Sequence, residues 1–162
     1  MKIKTKLFKE NAKLPFKKHE GDFCYDMVAT NCQWISKDIV VYKLGLGFEP
    51  VRPWWLKLLK HLRISIDARP RSSVWQSGLI LSNCIGTIDE IYRGEASAVF
   101  YRLLDEGTPW EFDGKKGVIE HYKVGDRVCQ MCISITGRIT FIPVDKLGDT
   151  ERGEGKHGST GR

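Results

Sequence analysis

The chain has no long hydrophobic run. None of its apolar stretches approaches the roughly 20 residues that a membrane-spanning helix needs. Its opening, "MKIKTKLFKE", is basic, but no apolar segment follows it, so no secretory signal is expected. A complete zinc-type cysteine pattern is also lacking. Cys129-x-x-Cys132 has no second pair and no histidine cluster to finish it, and positions three apart in a strand face opposite sides. Strand or core cysteines are therefore expected there. The cysteines Cys24, Cys32, Cys84, Cys129 and Cys132 make an odd count, which argues for reduced thiols and a cytoplasmic location. No internal repeat and no DNA-recognition motif is visible. The formal net charge of +6 suits anionic partners, and nucleotides fit it as well as nucleic acid does.

What is present points to one domain. The 162 residues, 41% hydrophobic and 28% charged, can bury a substantial core. Short β-rich runs recur at 38–48, 63–70, 77–83, 95–104, 123–135 and 138–144, punctuated by Gly, Pro, Asn or Asp. Many short strands with frequent turns predict a sandwich or barrel. One stretch differs. "RPWWLKLLKHLR", residues 52–63, sets Trp54, Trp55, Leu58, Leu59 and Leu62 at helical spacing, with Pro53 near the start. That predicts a short amphipathic helix over 53–63. It serves either as a surface for a membrane or protein partner or as packing against the β-body or a neighbouring subunit.

The end of the chain, "DTERGEGKHGSTGR", carries four glycines with Arg152, Ser159 and Thr160. Glycines let backbone N–H groups approach an anion, and the arginine and hydroxyls can bind phosphate oxygens. It is not a P-loop, because Ser159 stands where the lysine belongs and no helix can follow. A solvated polar tail is the alternative. The central stretch 68–95 holds two arginines around a proline, two serines, a strand, a turn, and then Asp89, Tyr92 and Arg93 within five residues. A hairpin of this kind makes a concave pocket with one carboxylate, although Asp89 taken alone reads as a turn residue.

Taken together, "GDFCYDMVA" (21–29), "RPRSS" (69–73), "NCIGTIDEIYRGE" (83–95), "GDRVCQM" (125–131) and "TERGEGKHGSTG" (150–161) resemble the five ordered motifs of the trimeric all-β dUTPases, and "ENAKLPFKKHEGD" resembles that family's opening. The resemblance implies an all-β, jelly-roll-like distorted barrel over 1–148 and a mobile C-terminal arm over 149–162 that closes on a neighbouring subunit's site. It implies a homotrimer that hydrolyses dUTP to dUMP and pyrophosphate, sanitising nucleotide pools and supplying dUMP. Asp89 would activate the attacking water. Asn83, Thr87 and Ile88 would line the uracil pocket, and Tyr92 would pack on the deoxyribose. Arg71, Ser72, Ser73 and Gln130 would contact phosphate. From the arm, Arg152, Ser159 and Thr160 would hold the γ-phosphate, with His157 and Gly158 closing over the base. Asp26 would support the site from behind. Mg²⁺ would ride on the triphosphate and its waters with no direct protein ligand.

The chain departs from the family pattern at four places. Lys156 and His157 stand where the arm usually has Gly-Phe, Ser73 replaces a glycine, Ile91 replaces a common aspartate, and 52–63 replaces a short turn. A histidine can still stack on uracil but titrates near neutrality, so closure weaker than the family's and dependent on pH is expected. The sister family, dCTP deaminase, also uses "RSS". It requires a catalytic glutamate where Val99 stands, and a valine cannot shuttle protons.

Overall fold

The computed structural model describes residues 1–59 and 61–150. Five of the six expected runs carry strands, and further strands form outside them. In chain order the strands are β1 (Lys2–Leu7), β2 (Tyr25–Val28), β3 (Asn31–Trp34), β4 (Ile39–Lys43), β5 (Leu46–Val51), β6 (Leu62–Arg69), β7 (Leu79–Leu81), β8 (Gly86–Asp89), β9 (Ser97–Arg102), β10 (Pro109–Phe112), β11 (Lys115–Val118) and β12 (Arg127–Gly137). Two four-stranded antiparallel sheets, ordered β2-β12-β6-β8 and β3-β4-β9-β7, bury one shared apolar cluster. Met27, Ile66, Ala68, Cys129 and Met131 enter it from the first sheet; Val40, Tyr42, Leu81, Ala98 and Phe100 enter from the second. The pairs β1-β5 and β10-β11 flank this sandwich. The fold is all-β, as the sequence predicted.

Three local expectations change. The run 38–48 is not one strand. Gly45, at φ +67°, breaks it, and the Leu44 and Ala96 N–H groups bond to Ala96 and Leu46 carbonyls around the bend. The helix expected over 53–63 is shorter: α1 spans Trp54–Leu58, and Leu62 and Arg63 already belong to β6. Only Leu56 of α1 is buried, whereas Trp54 is 75% and Leu58 74% exposed, so the apolar stripe faces outward. Residues 138–144 form no strand; the Arg138 N–H still donates to the His61 carbonyl at 2.7 Å, and beyond it the segment pairs with no strand among the described residues. No helix among the described residues is long and apolar enough to cross a membrane.

Candidate active site

Strand alternation sorts the first sheet into two chemistries. Met27, Cys129, Met131, Ile66, Ala68 and Ile88 turn toward the core. Their neighbours Asp26, Gln130, Arg69, Asp67, Thr87 and Asp89 therefore share the opposite face. Register aligns them: Asp26 lies across from Gln130, Gln130 from Arg69, Asp67 from Thr87, and Ser65 from Asp89. Asp67 anchors the middle of this face. It is buried and accepts hydrogen bonds from the hydroxyls of Ser65, Thr87 and Ser134.

At one edge, Asp26 gathers the residues of three motifs. It is only 6% exposed. Arg71 Nε donates to its Oδ1 at 3.2 Å and Gln130 Nε2 to the same oxygen at 3.3 Å, while Arg127 Nη1 donates to Oδ2 at 2.9 Å. A buried carboxylate requires such compensation. Arg71 also donates to the Arg127 carbonyl at 3.3 Å, which ties the loop after β6 to β12. Sequence reasoning did not single out Arg127. Regular alternation would set it and Gln130 on opposite faces, but the register shifts between Arg127 and Cys129, and the bulge brings both to Asp26. The available signal was its place in "GDRVCQM".

Ser72 is exposed and Ser73 half-buried in the turn that leads into a 3₁₀ turn, Val74–Ser77. Beside it opens a cavity of about 460 Å³ lined by Arg71, Ser73, Ser77, Trp110, Tyr122 and Arg127. Trp110, which lines it, meets Trp75 edge to face at 5.0 Å. Burial pushes the Tyr122 phenol up, and the neighbouring Ser77 and Arg71 pull it partly back.

At the other edge, β7 turns into β8 through Cys84, whose φ is +56°. The hairpin expected here does not form: β7 pairs with β9 and β8 with β6, so the turn crosses from one sheet to the other, and Asn83, Thr87 and Asp89 are exposed along it while Ile88 packs against the core. Tyr92 lies over Gly94, where any Cβ would overlap the phenol ring, and its hydroxyl donates to the Glu95 carbonyl at 3.2 Å. A groove of about 760 Å³ runs past Asp89, Thr87, Glu90, Arg52, Arg63 and Arg93.

The structure thus brings Asp26, Arg71 and Gln130 together and leaves Asp89 apart. β2 and β8 are the two edges of the sheet, three strand spacings from each other. With about 4.8 Å per strand and about 3.3 Å per residue along β6, the two carboxylates stand on the order of 15–20 Å apart. That is too far for one hydrogen-bonded group to reach both. Arg152, His157, Gly158, Ser159 and Thr160 lie outside the described residues.

No family model matches the chain. A curated deoxyuridine 5'-triphosphate nucleotidohydrolase from Clostridium kluyveri is 33% identical over 162 residues, covering 99% of both chains. The chain belongs to the dUTPase family. Another member, from Crocosphaera subtropica, is likewise 33% identical over 165 residues and 99% of each chain. The fold agrees. The dUTPase of Staphylococcus bacteriophage 80alpha bound to dUpNHpp superposes with a TM-score of 0.74 at 18% identity, covering 99% of both chains. The dUTPase of phage phi11, whose structure concerns a structural Mg(II) ion, gives 0.64 at 16% identity over 91% of this chain and 99% of that one.

The donor chemistry bears on magnesium. Among the described residues no three His, Cys, Asp or Glu side chains gather as a metal cage. Both oxygens of Asp26 are already engaged by cations and an amide. These residues fit a cation delivered with the substrate better than one held by side chains, as Mg²⁺ commonly is.

Proposed function

We propose that this dUTPase-family chain hydrolyses magnesium-bound dUTP to dUMP and pyrophosphate, with each site assembled between copies of the chain. The observation that carries the reading is the split polar face: the Asp26–Arg71–Gln130 cluster at one sheet edge and Asp89 at the other. Each half supplies what the other lacks. Asp89 is an exposed carboxylate at a strand end, suited to take a proton from water. Arg71, Ser72, Ser73 and Gln130 offer donors to phosphate oxygens.

In the proposed step, the water oxygen attacks the α-phosphorus as its proton passes to Asp89. The bond from the α-phosphorus to the bridging oxygen breaks, and pyrophosphate leaves. Magnesium bound to the triphosphate would neutralise part of its charge. Asn83 and the backbone of 83–89 read the uracil edge, and a mismatched base leaves a buried polar group unpaired. Thr87 and Ile88 shape that pocket. Tyr92, held over Gly94, excludes a 2′-hydroxyl. Asp26 orients Arg71 and Gln130 from behind. Residues 149–162 serve as the arm that closes over a neighbour's site, with Arg152, Ser159 and Thr160 on the γ-phosphate and His157 and Gly158 against the base. Cellular roles in removing dUTP and supplying dUMP follow from the products.

The test is pyrophosphate release from dUTP with Mg²⁺, set beside dCTP, dTTP and UTP. We expect release from dUTP alone, falling by about 10²–10⁴-fold in Asp89→Asn, the range for removing a general base. Equal turnover of dCTP, or an active Asp89→Asn variant, would overturn the reading. The exposed Trp54 and Leu58 support a second role for 52–63 as a contact for another protein. Trp54→Ala with Leu58→Ser should then abolish capture of a specific partner without changing turnover.

A further inference from the structure

The insertion 52–63 and the Asp89 strand share one junction. Arg52 stands just after β5 and forks onto Glu90, with Nε to Oε1 and Nη2 to Oε2 both at 2.6 Å. The same Nη2 donates to the Leu62 carbonyl at 2.9 Å, which staples the two ends of the insertion together. Glu90 Oε2 also accepts the Ile64 N–H at 3.2 Å. That bond matters because β8 ends at Asp89, opposite Ser65. The side chain of Glu90 takes up the next N–H of β6 and so extends the ladder one step past Asp89. Arg93 Nη1 holds the Glu90 carbonyl at 2.6 Å from the other side. Both partners are about four-fifths buried, with side chains 21% and 19% exposed. Charge-assisted bidentate bonds in such a setting fix geometry as well as adding energy.

We infer that Arg52 and Glu90 form a clamp that positions Asp89, making the insertion part of the support of the catalytic strand. Neither residue touches the reacting atoms. Their role is to keep the end of β8 from fraying, and small misplacements of a catalytic group are costly. The inference rests on Asp89 being the base.

The experiment compares Arg52→Gln, Glu90→Gln, the double variant and Arg52→Lys in the full chain. It measures kcat, the affinity for a non-hydrolysable dUTP analogue, and thermal unfolding. We expect kcat to fall about 10- to 100-fold in either single variant, by analogy with mispositioned catalytic groups, while analogue affinity holds. The double variant should lose no more than a single one, since the two act as one unit. Arg52→Lys keeps the charge but not the fork and should fall between. Wild-type kcat in folded Arg52→Gln and Glu90→Gln would overturn the clamp. So would kcat and affinity falling together in step with the folded fraction. An active Asp89→Asn control would instead overturn the base assignment, and the clamp with it.

Discussion

Asp26 shows how one residue can be legible in part. Its motif and that of Gln130 were readable, and the pairing across β2 and β12 gives the reason for both. Arg127 was not readable, because a single bulge decides which face it takes. The cluster predicts a stability effect. Asp26→Ala would leave Arg71 and Arg127 without their shared acceptor. Removing one partner of a buried ion pair costs about 3 kcal/mol. For a chain of this size that corresponds to a Tm lower by roughly 6–12 °C, which calorimetry would read. A shift near zero would mean that solvent already satisfies the arginines. The cysteines give a second test at this scale. Burial pushes the Cys129 thiol up to about 12, with Asp26 adding to the rise, and Cys132 is also raised, mainly by burial. Thiolate is the reactive form, so both should resist alkylation near pH 8. Cys84 is exposed in the turn between β7 and β8 and should label first. If 83–89 reads the base, dUTP should protect Cys84; peptide mapping after iodoacetamide treatment measures both points.

Among the elements, apolar runs gave the core strands, and backbone constraints set their limits. The run 38–48 is rich in apolar residues, yet Gly45 turns it from one sheet pairing to another. Its positive φ alone makes Gly45→Ala cost about 1–2 kcal/mol. An added Cβ would also stand 2.8 Å from Thr30 Cγ2 and 2.9 Å from the Ala12 Cβ. We expect reduced stability in denaturant melts with the far-ultraviolet spectrum preserved. Some elements were not legible. β11 reads "KKGV" and carries no apolar period, so nothing in the sequence separates it from a polar turn; its pairing with β10 supplies the order. In α1 the stripe of tryptophans and leucines was legible, but not its direction, because Leu56 alone reaches the body of the fold. The Arg52–Glu90 pair has its own pH dependence. Arg52, and then the Ile64 N–H, hold the Glu90 carboxyl below its usual range against the cost of burial. A lowered carboxyl pKa gives stability that is present above the unfolded value of about 4.3 and lost as pH falls through the folded value. Glu90→Gln should therefore flatten the acid limb of the unfolding curve and leave neutral and basic pH differences constant.

At the scale of the whole molecule, two surfaces are left over by the single chain. One is the polar face of the β2-β12-β6-β8 sheet, which carries the two separated halves of the proposed site. The other is the segment after β12. It was expected as a strand from the β-rich run "RITFIPV", and it pairs with no strand among the described residues. Phe141 is 88% and Ile142 76% exposed there, with Ile139, Val144 and Leu147 also open to solvent. A run of exposed apolar side chains on a β-prone segment marks an interaction site. An assembly of identical chains would satisfy both surfaces, since closed symmetry can set one copy's Asp89 beside another's Asp26 cluster. The proposed shared site requires an oligomer, and the family resemblance makes it a trimer, which sedimentation of the full chain would read. Phe141→Asp puts a charge into the apolar run without touching Asp26, Arg71, Gln130 or Asp89. It should give a folded monomer, recognised by sedimentation and an unchanged circular dichroism spectrum, that has lost turnover of dUTP. A folded monomer retaining full turnover would show that one chain completes the site alone, which the separation of Asp26 and Asp89 argues against.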